Sequence, residues 1–203
     1  WLYFLQKHKD YGLNCMRFHS WCPPEAAFEA ADELGMFVHV EGPVWDGHGN
    51  IGYPADRATF VREELDRILR EYGNHPSFCM MAIGNEFGNR KELYLQYIVE
   101  VLKYQDDRHL YTATCHPADT NSNDEFYVAA VGLNGWARRQ PTMKEFPVPD
   151  YEKAVKDYKR PFISHEIGQF TSFPDFYSWF NEEKYNGPLK AEYIGLLKEK
   201  FEQ

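Results

Sequence analysis

The 203-residue sequence predicts an α/β fold built on a parallel sheet. Helical and strand patterns alternate along the chain, and no turn of the Asn-Gly type connects one strand directly to the next. One segment, residues 78–83, is an unbroken run of apolar and small residues between Pro76 and Gly84. Strands of this kind are buried on both faces, as they are in parallel sheets covered by helices.

The predicted elements follow one another in the order α-βα-βα-βα-β-β-α-βα. Strands are predicted at residues 14–19, 36–40, 78–83, 110–115, 126–133 and 161–166. Helices are predicted at residues 1–11, 24–34, 56–72, 91–105 and 151–158, and a last helix starts near residue 189. Gly12, Gly35 and Gly73 end three of these helices, because glycine adopts the left-handed backbone that closes a helix.

This alternation predicts a (β/α)8 TIM barrel in partial form. A closed barrel has eight parallel strands and typically ~250 residues, whereas fewer strands are predicted here. The sequence starts on a helix that should follow a strand and stops on a helix that should precede one. We therefore expect a single partial barrel domain over residues 1–203, with the first and last strands missing and belonging to a longer polypeptide.

Composition and charge exclude several classes of partner. The net charge is −9 and no basic run is present, so nucleic acid and anionic membranes are not expected as partners. No apolar run approaches the ~20 residues of a membrane span. Aromatic residues make up 17% of the chain, which suits a site that stacks flat ligands or sugar rings. The sequence predicts no particular compartment and is compatible with a periplasmic or secreted protein.

Two glutamates directly follow apolar strands. Glu86 comes after Ala82-Ile83-Gly84-Asn85, and Glu166 comes after Phe162-Ile163-Ser164-His165. Parallel α/β folds place their chemistry at the carboxyl ends of the strands, so the two carboxylates are predicted to face one cavity. Buried carboxylates are costly unless they are paired or lie in a solvated site, and a structural ion pair is the other explanation for each of them.

The motif around Glu86 resembles glycoside hydrolase family 2, which includes β-galactosidases, β-glucuronidases and β-mannosidases. The resemblance rests on Asn74-His75-Pro76-Ser77 followed by Gly84-Asn85-Glu86, with Ser-His-Glu-Ile-Gly at residues 164–168. Residues 11–19 and 32–36 look like the strand-two unit of that family. Members carry a TIM-barrel catalytic domain, usually preceded by β-sandwich domains. This chain is therefore expected to be a piece of a larger multidomain enzyme and to contact such domains.

The resemblance implies a retaining exo-β-glycosidase that removes terminal sugars from oligo- or polysaccharides by double displacement. It implies that Glu86 is the general acid/base and that Glu166 is the nucleophile. A negative Glu166 nearby would raise the pKa of Glu86 and keep it protonated until Glu166 is esterified. Asn85 is implied to donate to the sugar 2-hydroxyl, and Arg17 to keep Glu166 ionised. No metal or cofactor is required for this chemistry.

Several positions depart from the pattern of the family. Ile167 follows the implied nucleophile in place of Tyr or Phe, and Asn134-Gly135-Trp136 stands where a tyrosine usually ends strand six. Residues 17–21 read Arg-Phe-His-Ser-Trp in place of Arg-x-Ser-His-Tyr, and residues 40–43 read Val-Glu-Gly-Pro in place of an Asp-Glu ending. These differences leave the two glutamates in place, but neither the sugar nor the linkage is predicted.

Side chains near the predicted strand ends are candidates for binding the sugar. Trp45, Trp136 and Trp179 could form a stacking platform, although packing in the core or in loops explains aromatic residues equally well. Hydrogen bonds to sugar hydroxyls are expected from polar side chains at the same strand ends. The predicted substrate-binding residues are Arg17, His19, Trp45, Asn85, His116, Asn134, Trp136 and His165.

Two alternative functions follow from other features. His39 and Glu41 share one face of a strand, so a metal-dependent TIM-barrel hydrolase that uses His19, His39 and Glu41 is the first alternative. No His-x-x-x-His or His-x-His pair supports it. The second alternative is a non-catalytic sugar-binding barrel, because a fold alone does not specify a function.

Overall fold

The computed structural model describes residues 1–45, 55–87, 93–115, 123–129 and 159–165, together with positions 156, 195, 196 and 199. The chain divides into two compact units. The first comprises Trp1–Ala137 and Pro147–Ile167 and contains every helix and strand named below. The second comprises Arg138–Phe146 and Gly168–Gln203 and is described only at the helical positions 195, 196 and 199.

The described elements agree with the predicted order. The helices are α1 (Leu2–Asp10), α2 (Glu25–Leu34), α3 (Ala55–Tyr72) and α4 (Leu93–Gln105). The strands are β1 (Cys15–Phe18), β2 (Phe37–Glu41), β3 (Phe78–Asn85), β4 (Leu110–Cys115), β5 (Tyr127–Ala129) and β6 (Phe162–Ser164). Of the predicted helix at residues 151–158 only position 156 is described, and it is a turn; most of the last predicted helix lies outside the described residues. None of the described helices is long and apolar enough to cross a membrane.

All of the described strand pairs are parallel. β1 to β4 form one sheet in the order β1-β2-β3-β4, and β5 pairs with β6. In the register of the larger sheet Glu41 lies beside Ala82, and Asn85 lies beside Cys115. The carboxyl ends of neighbouring strands therefore meet at one edge, as predicted for a parallel α/β fold.

β3 is buried on both of its faces, which confirms the interpretation of its apolar sequence. Phe78, Met81 and Ile83 pack in a large core cluster with buried residues of α2, α3 and α4. Met80 and Ala82 alternate with them and belong to a second cluster on the opposite face. The other buried members of this second cluster are Cys115, Phe126 and Val128.

Two of the three glycines predicted to end helices have the expected left-handed backbone, whereas Gly73 follows the end of α3 without a positive φ. Gly12 follows α1 with a φ of 79°, and Gly35 ends α2 with a φ of 65°. The backbone N–H groups of Gly35 and Met36 donate to the carbonyls of Asp32 and Ala31. The last turn of α2 is thereby closed, and the chain enters β2 immediately.

The Asn-His-Pro-Ser motif fastens α2 to the start of β3. His75 Nδ1 lies 2.7 Å from Asp32 Oδ2, and the backbone N–H of Ser77 donates to Asp32 Oδ1 over 2.9 Å. The ring of His75 also stacks on Phe28, with the ring centroids 5.1 Å apart. Burial opposes ionisation of Asp32, but hydrogen bonds from Ser77 and His75 outweigh it and lower the pKa of this carboxyl. The motif stabilises the amino end of β3, the end opposite to Glu86.

Candidate active site

Arg17 on β1 connects three polar side chains at the carboxyl edge of the sheet. Its Nε donates to Glu41 Oε1 at the end of β2. Its Nη2 donates to Asn85 Oδ1 over 2.9 Å, and its Nη1 lies 2.8 Å from Nδ1 of His165, the residue after β6. Because a guanidinium can only donate, His165 Nδ1 is the acceptor and the ring proton is assigned to Nε2. Strands that are distant in sequence thus contribute to one polar site.

Glu41 neutralises Arg17 in the interior of the protein. The side chain of Glu41 is 0% exposed and that of Arg17 is 9% exposed. The second carboxylate oxygen, Oε2, accepts the backbone N–H of Ser20 over 2.7 Å. Buried charges are tolerated when they are paired and hydrogen-bonded, and this pair meets both conditions. The family resemblance implied that Arg17 lies beside Glu166, which is outside the described residues. The sequence did not indicate that Glu41 is a partner of Arg17.

Asn85 is held in one orientation by its two neighbours. Its Oδ1 accepts from Arg17, and its Nδ2 donates to Nε2 of His19 over 3.0 Å. His19 therefore carries its proton on Nδ1, which lies 2.9 Å from the hydroxyl of Ser20. Asn85 is 1% exposed, so these contacts fix the amide without competition from bulk water. The predicted residues Arg17, His19 and Asn85 are brought together as one hydrogen-bonded group.

Glu86 lies immediately beyond β3 and is half-buried. Its backbone N–H donates to the carbonyl of Cys115 over 2.9 Å, which ties it to the end of β4. Its carboxylate oxygen Oε2 accepts from Nε1 of Trp45 over 2.8 Å. The predicted catalytic carboxylate therefore stands at the carboxyl edge of the sheet, next to the group that Arg17 organises.

Trp45 lies beside the end of β3 and not in the core. It pairs with Asn85 in an isolated parallel bridge, and the backbone N–H of Asn85 donates to the carbonyl of Val44 over 2.9 Å. Trp45 is 64% exposed, and its indole meets the ring of His19 edge-on, with centroids 4.9 Å apart. The sequence predicted Trp45 as part of a stacking platform. The contact of its N–H with Glu86 was not predicted.

Unfavourable backbone conformations coincide with this site. Among the described residues other than glycine, positive φ angles occur at Ser20, with 58°, and at Glu86, with 52°. Left-handed backbone costs a non-glycine residue roughly 1–2 kcal/mol. Both residues follow a strand, and Ser20 uses its N–H to bind Glu41. Strain of this kind clusters at functional sites, where the surrounding contacts impose it.

His39, Glu41 and Cys115 form a candidate set of metal donors among the described residues. Their ligand atoms lie within 4.8 Å of one another, and all three residues are buried. Burial, followed by the positive charge of Arg17, lowers the pKa of His39 to about 3, and burial raises the pKa of the Cys115 thiol well above its usual value.

This donor set does not favour the metal-dependent alternative. Both oxygens of Glu41 already accept hydrogen bonds, one of them from the permanent cation Arg17. A metal ion would have to displace or repel that guanidinium and deprotonate a buried thiol. His19, a donor in the predicted set, instead binds Asn85. The contact between the Cys115 thiol and Nε2 of His39 was not predicted, although the sequence placed Cys115 at the end of a strand.

Several predicted site residues lie outside the described part of the chain. These are His116, Asn134, Trp136 and Glu166, and Trp179 of the predicted platform is a further one. His165, directly before Glu166, is described, and its contact with Arg17 brings the end of β6 to the site. The assignment of Glu166 as nucleophile stays a prediction.

Solved structures of two bacterial β-glucuronidases are similar to this chain. The Parabacteroides merdae β-glucuronidase (GUS) is 20% identical, with a TM-score of 0.51, over 63% of this chain and 18% of that chain. Bacteroides uniformis β-glucuronidase 3 is 19% identical, with a TM-score of 0.51, over 63% of this chain and 17% of that chain. At this level of identity the similarity shows the fold alone.

A curated relative, the β-glucuronidase of Bacteroides fragilis, is 24% identical over 143 residues. The alignment covers 66% of this chain and 20% of that protein, so the chain spans about a fifth of the relative. Residues 5–195 match a family described as glycosyl hydrolases family 2, TIM barrel domain. This match confirms the predicted TIM-barrel fold and the resemblance noted from the motifs. The chain belongs to glycosyl hydrolase family 2 and corresponds to the TIM-barrel domain of that family.

Proposed function

We propose that this chain carries the catalytic residues of a retaining exo-β-glycosidase, with Glu86 as the general acid/base and Glu166 as the nucleophile. The observation that supports it best is the position of Glu86. In a chain of this family, Glu86 stands at the carboxyl edge of a parallel sheet, half-buried and directly after an asparagine that Arg17 and His19 hold in place. A carboxyl group whose surroundings are this constrained suits catalysis better than a solvated surface role.

In the proposed reaction Glu166 attacks the anomeric carbon while Glu86 gives its proton to the oxygen of the leaving group. The glycosidic C–O bond breaks, and an ester forms between the sugar and Glu166. Glu86, now ionised, takes a proton from water, and the resulting hydroxide equivalent attacks the anomeric carbon and releases Glu166. Two displacements at one carbon retain the β configuration.

The described neighbours have supporting roles in this proposal. Asn85 donates its remaining amide hydrogen to the sugar 2-hydroxyl, a contact that strengthens in the transition state. Arg17 orients Asn85 and His165, and His19 orients Asn85 from its other end. His116, Asn134 and Trp136 complete the proposed sugar site.

We further propose that the substrate is a β-glucuronide or a related β-glycoside. The curated relative is a β-glucuronidase, and this class gives the first compounds to assay. The whole protein is proposed to contain accessory β-sandwich domains that contact the barrel, since the chain spans about a fifth of that relative.

The test is rescue by azide of variants in the protein that contains this chain. A panel of 4-nitrophenyl β-glycosides first identifies the sugar. Glu86→Ala and Glu166→Ala are each expected to lower kcat by roughly 10²-fold or more. Azide should restore turnover in both variants. With Glu86→Ala it replaces water in the second displacement and gives a β-glycosyl azide. With Glu166→Ala it replaces the nucleophile in a single displacement and gives an α-glycosyl azide. Full activity in either variant, or the same azide anomer from both, would refute these roles.

A further inference from the structure

We propose that Trp45 is a positioning residue for the general acid, fixing the carboxyl group of Glu86 through the hydrogen bond from its indole N–H. This inference rests on the role proposed for Glu86. The donor and acceptor are 2.8 Å apart, and the indole nitrogen can only donate. Oε2 is therefore held as an acceptor, and the proton that Glu86 delivers to the leaving group is placed on Oε1.

Backbone contacts along β3 place Trp45 at this position. The N–H of Gly42 donates to the carbonyl of Ala82 over 2.9 Å, and the N–H of Asn85 donates to the carbonyl of Val44 over 2.9 Å. Residues 42–45 thus extend the ladder between β2 and β3 up to the bridge at Trp45. These backbone contacts fix the position from which the indole of Trp45 reaches Glu86.

Two glycines permit this close approach. A Cβ atom on Gly84 would lie 2.5 Å from the carbonyl oxygen of Val44, and a Cβ on Gly42 would lie 2.2 Å from that of Ile83. Both distances are shorter than any real contact, so a larger residue at either position would push residues 42–45 away from β3. The Gly-Asn-Glu motif therefore needs a glycine at position 84, because the segment that carries Trp45 passes directly beside it.

The ring of Trp45 is also held from the side of His19. The two rings meet edge-on with centroids 4.9 Å apart, and His19 is itself fixed by its contact with Asn85. The indole therefore links the orientation of Asn85 to that of Glu86. One tryptophan therefore contacts Glu86 directly and Asn85 through His19, the two consecutive residues that the proposed mechanism uses at the end of β3.

A stacking platform for the sugar is the competing role for Trp45, and the two roles predict different kinetics. A platform binds substrate and transition state alike, so its loss raises KM with little change in kcat. A positioning residue acts on proton donation. Its loss lowers kcat, most strongly for substrates whose leaving group needs a proton.

The experiment replaces Trp45 in the protein that contains this chain and measures aryl β-glycosides of graded leaving-group pKa. Trp45→Phe keeps an aromatic ring but removes the N–H, and 3-benzothienylalanine at position 45 replaces only the N–H by sulfur. Both variants are expected to lower kcat/KM for poor leaving groups by about tenfold, the size expected for a lost hydrogen bond to a charged group. Activated dinitrophenyl substrates should be affected by less than about twofold.

The pH profile gives a second readout. A donor N–H stabilises the ionised carboxylate, so without it the alkaline limb of the kcat/KM profile should move to higher pH. Trp21→Phe is the matched control, because Trp21 is also exposed and its ring packs edge-on against Phe18 of β1. It should change neither the leaving-group dependence nor the pH profile.

The outcomes separate this inference from the proposed function. If the Glu86→Ala variant is impaired and rescued by azide, but both Trp45 variants only raise KM and leave the leaving-group dependence and pH profile unchanged, Trp45 is a platform and the inference is wrong. If Glu86→Ala is fully active, the proposed function itself fails. Steeper leaving-group dependence together with the shifted alkaline limb supports the positioning role.

Discussion

Arg17 and Asn85, on strands β1 and β3, are joined by a hydrogen bond of 2.9 Å between the guanidinium Nη2 and the amide Oδ1. The two strands are separated in the sheet by β2, whose last residue, Glu41, binds the same guanidinium. One side chain therefore spans three strands at the edge where the chemistry is proposed. Its fork of donors is what allows separate acceptors to be held at once.

Substitution of Arg17 by lysine is expected to weaken both stability and activity. Lysine keeps the charge but cannot direct separate donors to Glu41, Asn85 and His165. The free energy of unfolding should fall by about 2 kcal/mol or more, and kcat should fall with it, because hydrogen bonds to charged groups are worth about 1.5–3 kcal/mol. Urea unfolding and steady-state kinetics measure the two effects.

Arg67→Lys is the control for this substitution. Arg67 is half exposed and pairs with Glu63 and Glu64 on the surface of α3. Exposed ion pairs contribute little to stability, so this variant should be close to the parent protein. Equal effects of Arg17→Lys and Arg67→Lys would contradict the role given to Arg17.

Asp32→Asn is expected to lower stability without altering catalysis. Asp32 accepts from Ser77 and contacts His75 at the amino end of β3, far along the strand from Glu86. Loss of the charge should cost about 1–2 kcal/mol of unfolding free energy. The pH profile of kcat/KM should stay unchanged. Glu25→Gln removes an exposed contact with the same histidine and should have almost no effect on stability. A changed pH profile in Asp32→Asn would count against a purely structural motif.

Acid should destabilise the protein well before its carboxylates are protonated. Burial holds the folded-state pKa of His39 at about 3, below the value of about 6.5 for an unfolded histidine. A group with a lowered folded pKa contributes stability above its unfolded pKa and loses it as pH falls. Burial also lowers the pKa of His109, so it acts in the same direction. Hydrogen bonds from Arg108 lower the pKa of Asp106 to about 2, so protonation of Asp106 reduces stability only below about pH 4.

The window between pH 6.5 and 4.5 isolates the histidine effect. His39 alone should contribute a loss of about 2–3 kcal/mol across this window, at 1.36 kcal/mol per pH unit for each proton taken up on unfolding. His39→Gln should flatten the dependence of unfolding free energy on pH, whatever its effect at pH 7. An identical slope in parent and His39→Gln would show that His39 does not cause the acid sensitivity.

The fold could be predicted because its signals are local. The apolar run of β3, the glycines after α1 and α2, and the alternation of elements are each readable within short windows, and the structure reproduces them. The position of Glu86 at a strand end followed from the same reasoning. In these cases burial and backbone geometry act on neighbouring residues, so composition and spacing carry the information.

The contacts within the site could not be predicted in this way. Glu41 as the partner of Arg17 depends on the alignment of separate strands, and the contact between Trp45 and Glu86 joins residues 41 positions apart. The Asn-His-Pro-Ser motif helped to identify the family, yet it stabilises the end of β3 away from the site. A pattern that marks a family does not by itself reveal which of its residues meet the substrate.

The left-handed backbone of Glu86 sets stability against function at one position. Glu86→Gly and Glu86→Ala both lack the carboxylate, but only glycine adopts this conformation without strain, so the glycine variant should be more stable by about 1 kcal/mol. Thermal unfolding of the two variants measures the difference, and an alanine variant as stable as glycine would show that no strain is stored there. On this account, ancestors or designs selected for stability alone would drift toward glycine at position 86 and lose the proposed acid, whereas selection for turnover keeps a costly residue.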